Sequence, residues 1–127
     1  MRARIANEAG ADLFVSLHAN ASDDATARGP WTLYAAPSTR GAAYAAVMQR
    51  TLARVLGGNP RAAYPDASPA VDGRTLAVLR QTRMTALLLE LGFMTHASDL
   101  GQLESERTRL RVSAAVACTL VELTASP

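Results

Sequence analysis

The run Leu13-Phe14-Val15-Ser16-Leu17-His18-Ala19-Asn20-Ala21 is apolar until it breaks off in a histidine followed by small and polar residues. It reads as a buried strand from Asp12 to His18 that carries an imidazole to the edge of a sheet. A second run, Ala86-Leu87-Leu88-Leu89-Glu90-Leu91-Gly92-Phe93, does the same with a carboxylate. Ligands and chemistry collect at the carboxyl ends of strands in an open α/β sheet, so His18 is a candidate for metal ligation or proton transfer. Together the imidazole and the carboxylate are the minimal parts of a metal-assisted hydrolytic site.

The remaining elements follow from pattern. Met1 to Ala9 reads as the end of a helix closed by Gly10. Residues 19–30 have loop composition, and Trp31 to Ala36 is a short β-prone run expected to lie beside the first strand. Pro37-Ser38-Thr39 opens a helix whose buried face is Tyr44, Val47, Met48, Thr51, Leu52 and Val55, stopped by Gly57-Gly58. Asn59 to Gly73 is the longest irregular stretch and a candidate wall for a substrate groove. Leu76 to Leu79 and Ala86 to Leu91 are further strand candidates, the second apolar enough to be covered on both faces. Ser98 or Asp99 then caps a C-terminal helix with a broad stripe formed by Leu110, Ala114, Ala117 and Val121 with Val112, Val116, Leu120 and Leu123.

Length and charge narrow the function classes. A chain of 127 residues is sized for one domain, residues 1–127. All thirteen basic residues are arginine, dispersed rather than striped with aromatics, and net charge is only +2. A nucleic-acid partner is therefore not expected, whereas a high pI suits some other anionic surface. The single cysteine, Cys118, excludes an internal disulfide and reads as a small core hydrophobe. No segment has the length of a membrane span, and no signal peptide stands at the start.

Each singled-out residue has a functional and a plain reading. Glu90, at the end of an apolar strand, is partly desolvated and suited to shuttle protons, or it is a buried glutamate paired with Arg80. Arg80 can orient Glu90, stabilise an oxyanion, hold a substrate carboxylate, or be solvated. Asn20 supports His18 or closes the strand-to-loop turn. His96 is a substrate contact, an additional ligand or a surface histidine, and Arg4 and Asn7 share a helix face as scaffold.

These segments, with Arg4-Ile5-Ala6-Asn7 and Val78-Leu79-Arg80, resemble the zinc-dependent N-acetylmuramoyl-L-alanine amidases of bacterial cell walls in order and spacing. The resemblance implies an α/β fold with a mixed sheet flanked by helices on both faces. It also implies a zinc-binding His18 within Ser16-Leu17-His18-Ala19-Asn20, a catalytic Glu90, and Zn2+ as cofactor. Peptidoglycan would be the partner and the cell envelope the location. Thr85 stands where the family has proline, and His96 where it commonly has asparagine. The family's opening strand-helix-strand portion, which supplies two further ligands, is not in this sequence. The 127 residues are thus expected to be the C-terminal two-thirds of a catalytic domain. A genuinely short form would leave Phe14, Val15 and Leu88 poorly covered and favour an oligomer. The alternative is a degenerate domain that binds peptidoglycan or a partner without turnover.

Overall fold

Gly10 sets the first boundary: its φ of 61° is left-handed, and its N–H returns to carbonyls of the preceding turn, closing α1 (Arg2–Ala9) just before β1 (Leu13–Asn20). The computed structural model describes residues 1–125. The remaining strands are β2 (Trp31–Tyr34), β3 (Ala63–Pro65) and β4 (Thr85–Phe93). Among the described residues these four strands form one mixed sheet in the order β1-β4-β2-β3. β1 runs parallel to β4, β2 antiparallel to β4, and β3 parallel to β2.

The sequence reading places β2 beside β1, and the structure corrects it by inserting β4 between them. Burial explains the order. The most apolar strand takes a position covered on both faces, and β1 is left at an edge. On one face Leu87 and Leu89 pack with Ala45, Met48 and Leu52 of α2 (Thr39–Leu56) and with Val112 and Val116 of α5 (Glu106–Ala125). On the other, Ala86 and Leu88 meet Leu33, Val71 and Leu79. Each leucine buried in this way contributes about 1.5–3 kcal/mol. The expected α/β fold with helices on both faces is the observed one, and Leu88 is well covered.

Ser38 caps α2 by accepting a hydrogen bond from the Gly41 N–H at 2.9 Å, as the Pro37-Ser38-Thr39 sequence predicts. The buried face of α2 includes one polar residue, Gln49. It accepts from Thr32 Oγ1 at 2.9 Å and donates to the Pro30 and Asn59 carbonyls at 2.7 and 2.8 Å. That network ties α2 to the segments on either side of the β2–β3 ladder, with every buried polar atom of the pair satisfied.

Four further expectations are corrected. Leu76 to Leu79 is not a strand but leads into a single helical turn, α3 (Ala77–Arg80), closed by Arg80 N–H to Leu76 O at 3.1 Å. An apolar run this short is equally compatible with either state, and Ala, Leu and Arg favour the helix. The C-terminal helix is two helices, α4 (Ala97–Glu104) and α5, separated at Ser105, with His96 rather than Ser98 or Asp99 at the start of α4. Its stripe is narrower than expected: Val112, Val116, Thr119 and Leu123 are buried, whereas Leu110 and Val121 are exposed. Cys118 lies on that exposed side and is not a core residue.

Candidate active site

The parallel register of β1 and β4 sets His18 directly opposite Glu90, and the antiparallel register of β2 sets Trp31 opposite Glu90 on its other side. Residues paired across a sheet share a face, so imidazole, carboxylate and indole form one row over three strands. The parity of β4 puts this row on the face of Leu88, the side away from α2 and α5. Immediately beyond it the ladder is irregular: Asn20 pairs with Phe93, so β4 carries one more residue than β1. Gly92 occupies the extra length with φ 150°.

Over this face lies a cavity of about 250 Å³, bounded by Asn20, Ser22, Trp31, Arg74, Glu90 and Phe93 among others. Its outer wall is residues 70–76, so the irregular stretch expected to line a groove does line one. Trp31 meets Tyr64 and Phe93 edge-on with centroids 5.3 and 5.2 Å apart, which makes an apolar floor beside the carboxylate.

Glu90 is the reactive-looking group. Its Oε2 is buried and finds no hydrogen-bond partner among the described residues. Burial raises its carboxyl above the usual carboxylate range, and the positive charge of Arg74 opposes that rise in part. The plain reading, a pair with Arg80, is corrected, because Arg80 gives its Nε to Asp66 at 2.7 Å. Arg80 does not line the cavity that Glu90 lines. Asp66, 1% exposed, also accepts from the Ala36 and Leu76 N–H groups, so the pair anchors the two ends of the wall segment to β2 and α3.

His18 Nε2 lies 2.8 Å from Ser16 Oγ, two residues back on the same face. Asn20 lines the cavity, and its Oδ1 accepts from the Ala21 N–H at 2.9 Å, the turn-closing arrangement. His96 stands at the start of α4 with Nδ1 3.9 Å from Asp99 Oδ1, and it is not among the cavity residues. Asp99 is 3% exposed and instead accepts the N–H groups of Gly29 and Phe93 at 2.7 and 2.9 Å, fastening the 19–30 loop to the end of β4. Asn7 bridges to the chain beyond α3, donating to Gln81 O and accepting from Arg83 N, both at 2.8 Å, in the scaffold role expected of it.

The donor set is too small for a zinc centre. Catalytic zinc takes three protein ligands, and no group of three or more His, Cys, Asp or Glu side chains able to hold a metal occurs among the described residues. His18 beside Glu90 offers one imidazole and one carboxylate, short of that ligand number. Trp31, Phe93, Ser22 and Arg74 belong to the cavity without having been singled out in the sequence. Their contribution depends on a strand order and a loop path that no local pattern encodes.

Fold and site together define a mixed α/β domain with an imidazole and a carboxylate opposite each other on two adjacent parallel strands. A model of the N-acetylmuramoyl-L-alanine amidase family matches residues 1–121, and the chain belongs to that family. The N-acetylmuramoyl-L-alanine amidase LytC of Bacillus subtilis is 35% identical over 108 residues, 81% of this chain and 20% of that protein. The amidase CwlM of Mycobacterium tuberculosis is 33% identical over 113 residues, 85% of this chain and 26% of that protein. Among solved structures, the catalytic domain of the amidase CwlV from Bacillus (Paenibacillus) polymyxa superposes with a TM-score of 0.83 at 28% identity, covering 99% of this chain and 65% of that one. The chain therefore spans about a fifth to a quarter of these two relatives and just under two thirds of the solved domain.

Proposed function

We propose that residues 1–127 carry the acid–base half of an amidase site that hydrolyses the amide between N-acetylmuramic acid and L-alanine in peptidoglycan. The observation that carries this reading is the buried Oε2 of Glu90, which has no hydrogen-bond partner among the described residues and lies at a cavity, with His18 opposite it in register. A carboxyl held above its ordinary range accepts a proton from an attacking water and returns it within the same site. Water oxygen bonds to the acyl carbon, the carbon–nitrogen bond breaks, and the proton passes through Glu90 to the departing alanine amine. Asn20 and Ser22 face the substrate, and Trp31 and Phe93 form the apolar surface on which it rests. Family membership supports an envelope location, where peptidoglycan is found. No helix among the described residues is long and apolar enough to cross a membrane.

Zinc dependence, the family's expected chemistry, fits these residues only in part. His18 is the imidazole placed to contribute to such a centre, and the described donors do not complete one. A second reading keeps the groove and has it bind wall glycopeptide without turnover.

One experiment separates the two. N-acetylmuramoyl-L-alanyl-D-glutamate is incubated with the purified protein and with Glu90→Gln, with and without added zinc, and free alanyl amine is quantified. The amidase reading expects release that Glu90→Gln abolishes. Saturable binding without release from either protein establishes the binding reading, and release that survives Glu90→Gln removes Glu90 from the chemistry.

A further inference from the structure

Arg74 is the one cation among the residues bounding the cavity, where the other charged groups are the carboxylates of Glu90 and Asp72. Its guanidinium is nearly free. Nε reaches the Val71 carbonyl and a terminal nitrogen reaches Asp72 Oδ2, both at the long distance of 3.5 Å, and the Arg74 and Asp72 side chains are 74% and 84% exposed. Contacts of that length between solvated groups hold an arginine weakly and leave most of its donors available.

The backbone beneath it is fixed. Arg74 N–H donates to Val71 O at 3.0 Å, Arg74 O accepts from Ala67 N–H at 2.9 Å, and Gly73 N–H donates to Ser68 O at 2.9 Å. Two residues on, Leu76 N–H is held by the buried Asp66 carboxylate. A pinned backbone carrying a loosely held, planar fork of donors is pre-organised to capture a planar anion.

We propose that Arg74 sets substrate specificity in this cavity by taking a free carboxylate of the bound peptide. This rests on the reading of the cavity as a wall-peptide site and deepens it. The ligand class is an acyl-alanyl peptide with a carboxylate on its next residue, discriminated from the same peptide bearing a carboxamide there.

The test uses the chain's sole tryptophan, Trp31, which bounds the same cavity, as a fluorescent reporter. N-acetylmuramoyl-L-alanyl-D-glutamate and its analogue with both glutamate carboxylates converted to carboxamides are titrated into the wild type, Arg74→Gln, Arg74→Lys, and the control Arg61→Gln. The dicarboxylate is expected to bind about five- to tenfold more tightly at low salt. That preference disappears in Arg74→Gln, recovers in part in Arg74→Lys, and persists in Arg61→Gln. Undiminished preference in Arg74→Gln, or equal binding of both ligands to the wild type, overturns the role of Arg74 and leaves the cavity reading standing. A Trp31 signal that neither ligand moves takes both down.

Discussion

The Asp66 carboxylate, 1% exposed, receives Nε of Arg80 at 2.7 Å while also accepting two backbone N–H groups. Burial by itself would raise its pKa, but the hydrogen bonds from Arg80, Ala36 and Leu76 and the guanidinium charge outweigh burial and hold it below the usual carboxylate range. A group whose folded value is depressed stabilises the protein above its unfolded value and loses that contribution as pH falls through the folded one. Asp66→Asn is expected to cost about 2 kcal/mol at neutral pH. In urea unfolding, the gap between wild type and variant should narrow as pH drops below about 4. A gap of constant size across that range would show that the ionised form of Asp66 contributes nothing.

Gly92 is held to glycine by two independent constraints. Its φ is 150°, and a Cβ there would come within 3.2 Å of the Cβ and Oδ2 of Asp99. Gly92→Ala should cost about 1–3 kcal/mol, because the side chain it must displace is the one that holds Gly29 and Phe93. Thermal unfolding measures it, and a variant with unchanged stability would mean that the extra residue in β4 relaxes freely.

Leu17 sits on the edge strand with 60% of its surface exposed, above a cavity of about 360 Å³ shared with Leu56, Leu91, Val112 and Leu120. An uncharged edge strand beside such a surface is a template for association. Leu17→Lys is expected to change folding stability by less than about 0.5 kcal/mol and to reduce self-association in sedimentation velocity. If the wild type sediments as a monomer at every concentration tested, this edge does not drive oligomer formation.

Dialysis into dilute zinc followed by desalting should leave the protein essentially metal-free, since stable zinc sites draw on three or four protein ligands. Elemental analysis checks this. Stoichiometric zinc in the wild type that is lost in His18→Ala would reveal a complete site centred on that imidazole.

How much was legible in advance differs from residue to residue. The two apolar runs of β1 and β4, the Ser38 cap, the Gly10 stop and the groove-lining role of the Asn59–Gly73 stretch, met by its residues Ala70, Val71 and Asp72, all follow from local rules, because periodicity, capping and glycine conformation are properties of neighbours in the chain. The strand ends read from the sequence, His18 and Leu91, each fall two residues short of the observed ends at Asn20 and Phe93, yet they brought His18 and Glu90 forward as candidates. Leu76 to Leu79 reads as a strand in the sequence and leads into a helical turn in the structure, because four apolar positions fit either geometry. The exposed half of α5 was assigned to the core because a helix with apolar residues on two adjacent rows does not say which row is covered.

Local apolar content was enough to show that His18 and Glu90 each lie on a strand, whereas it overstated the burial of β1, which is a partly exposed edge strand. Folding alone makes these strands neighbours in register, gives Arg80 to Asp66, and puts Arg74 on the same cavity as Glu90. Such pairings join residues far apart along the chain, and they are selected by which faces bury most apolar surface and which buried charges find partners.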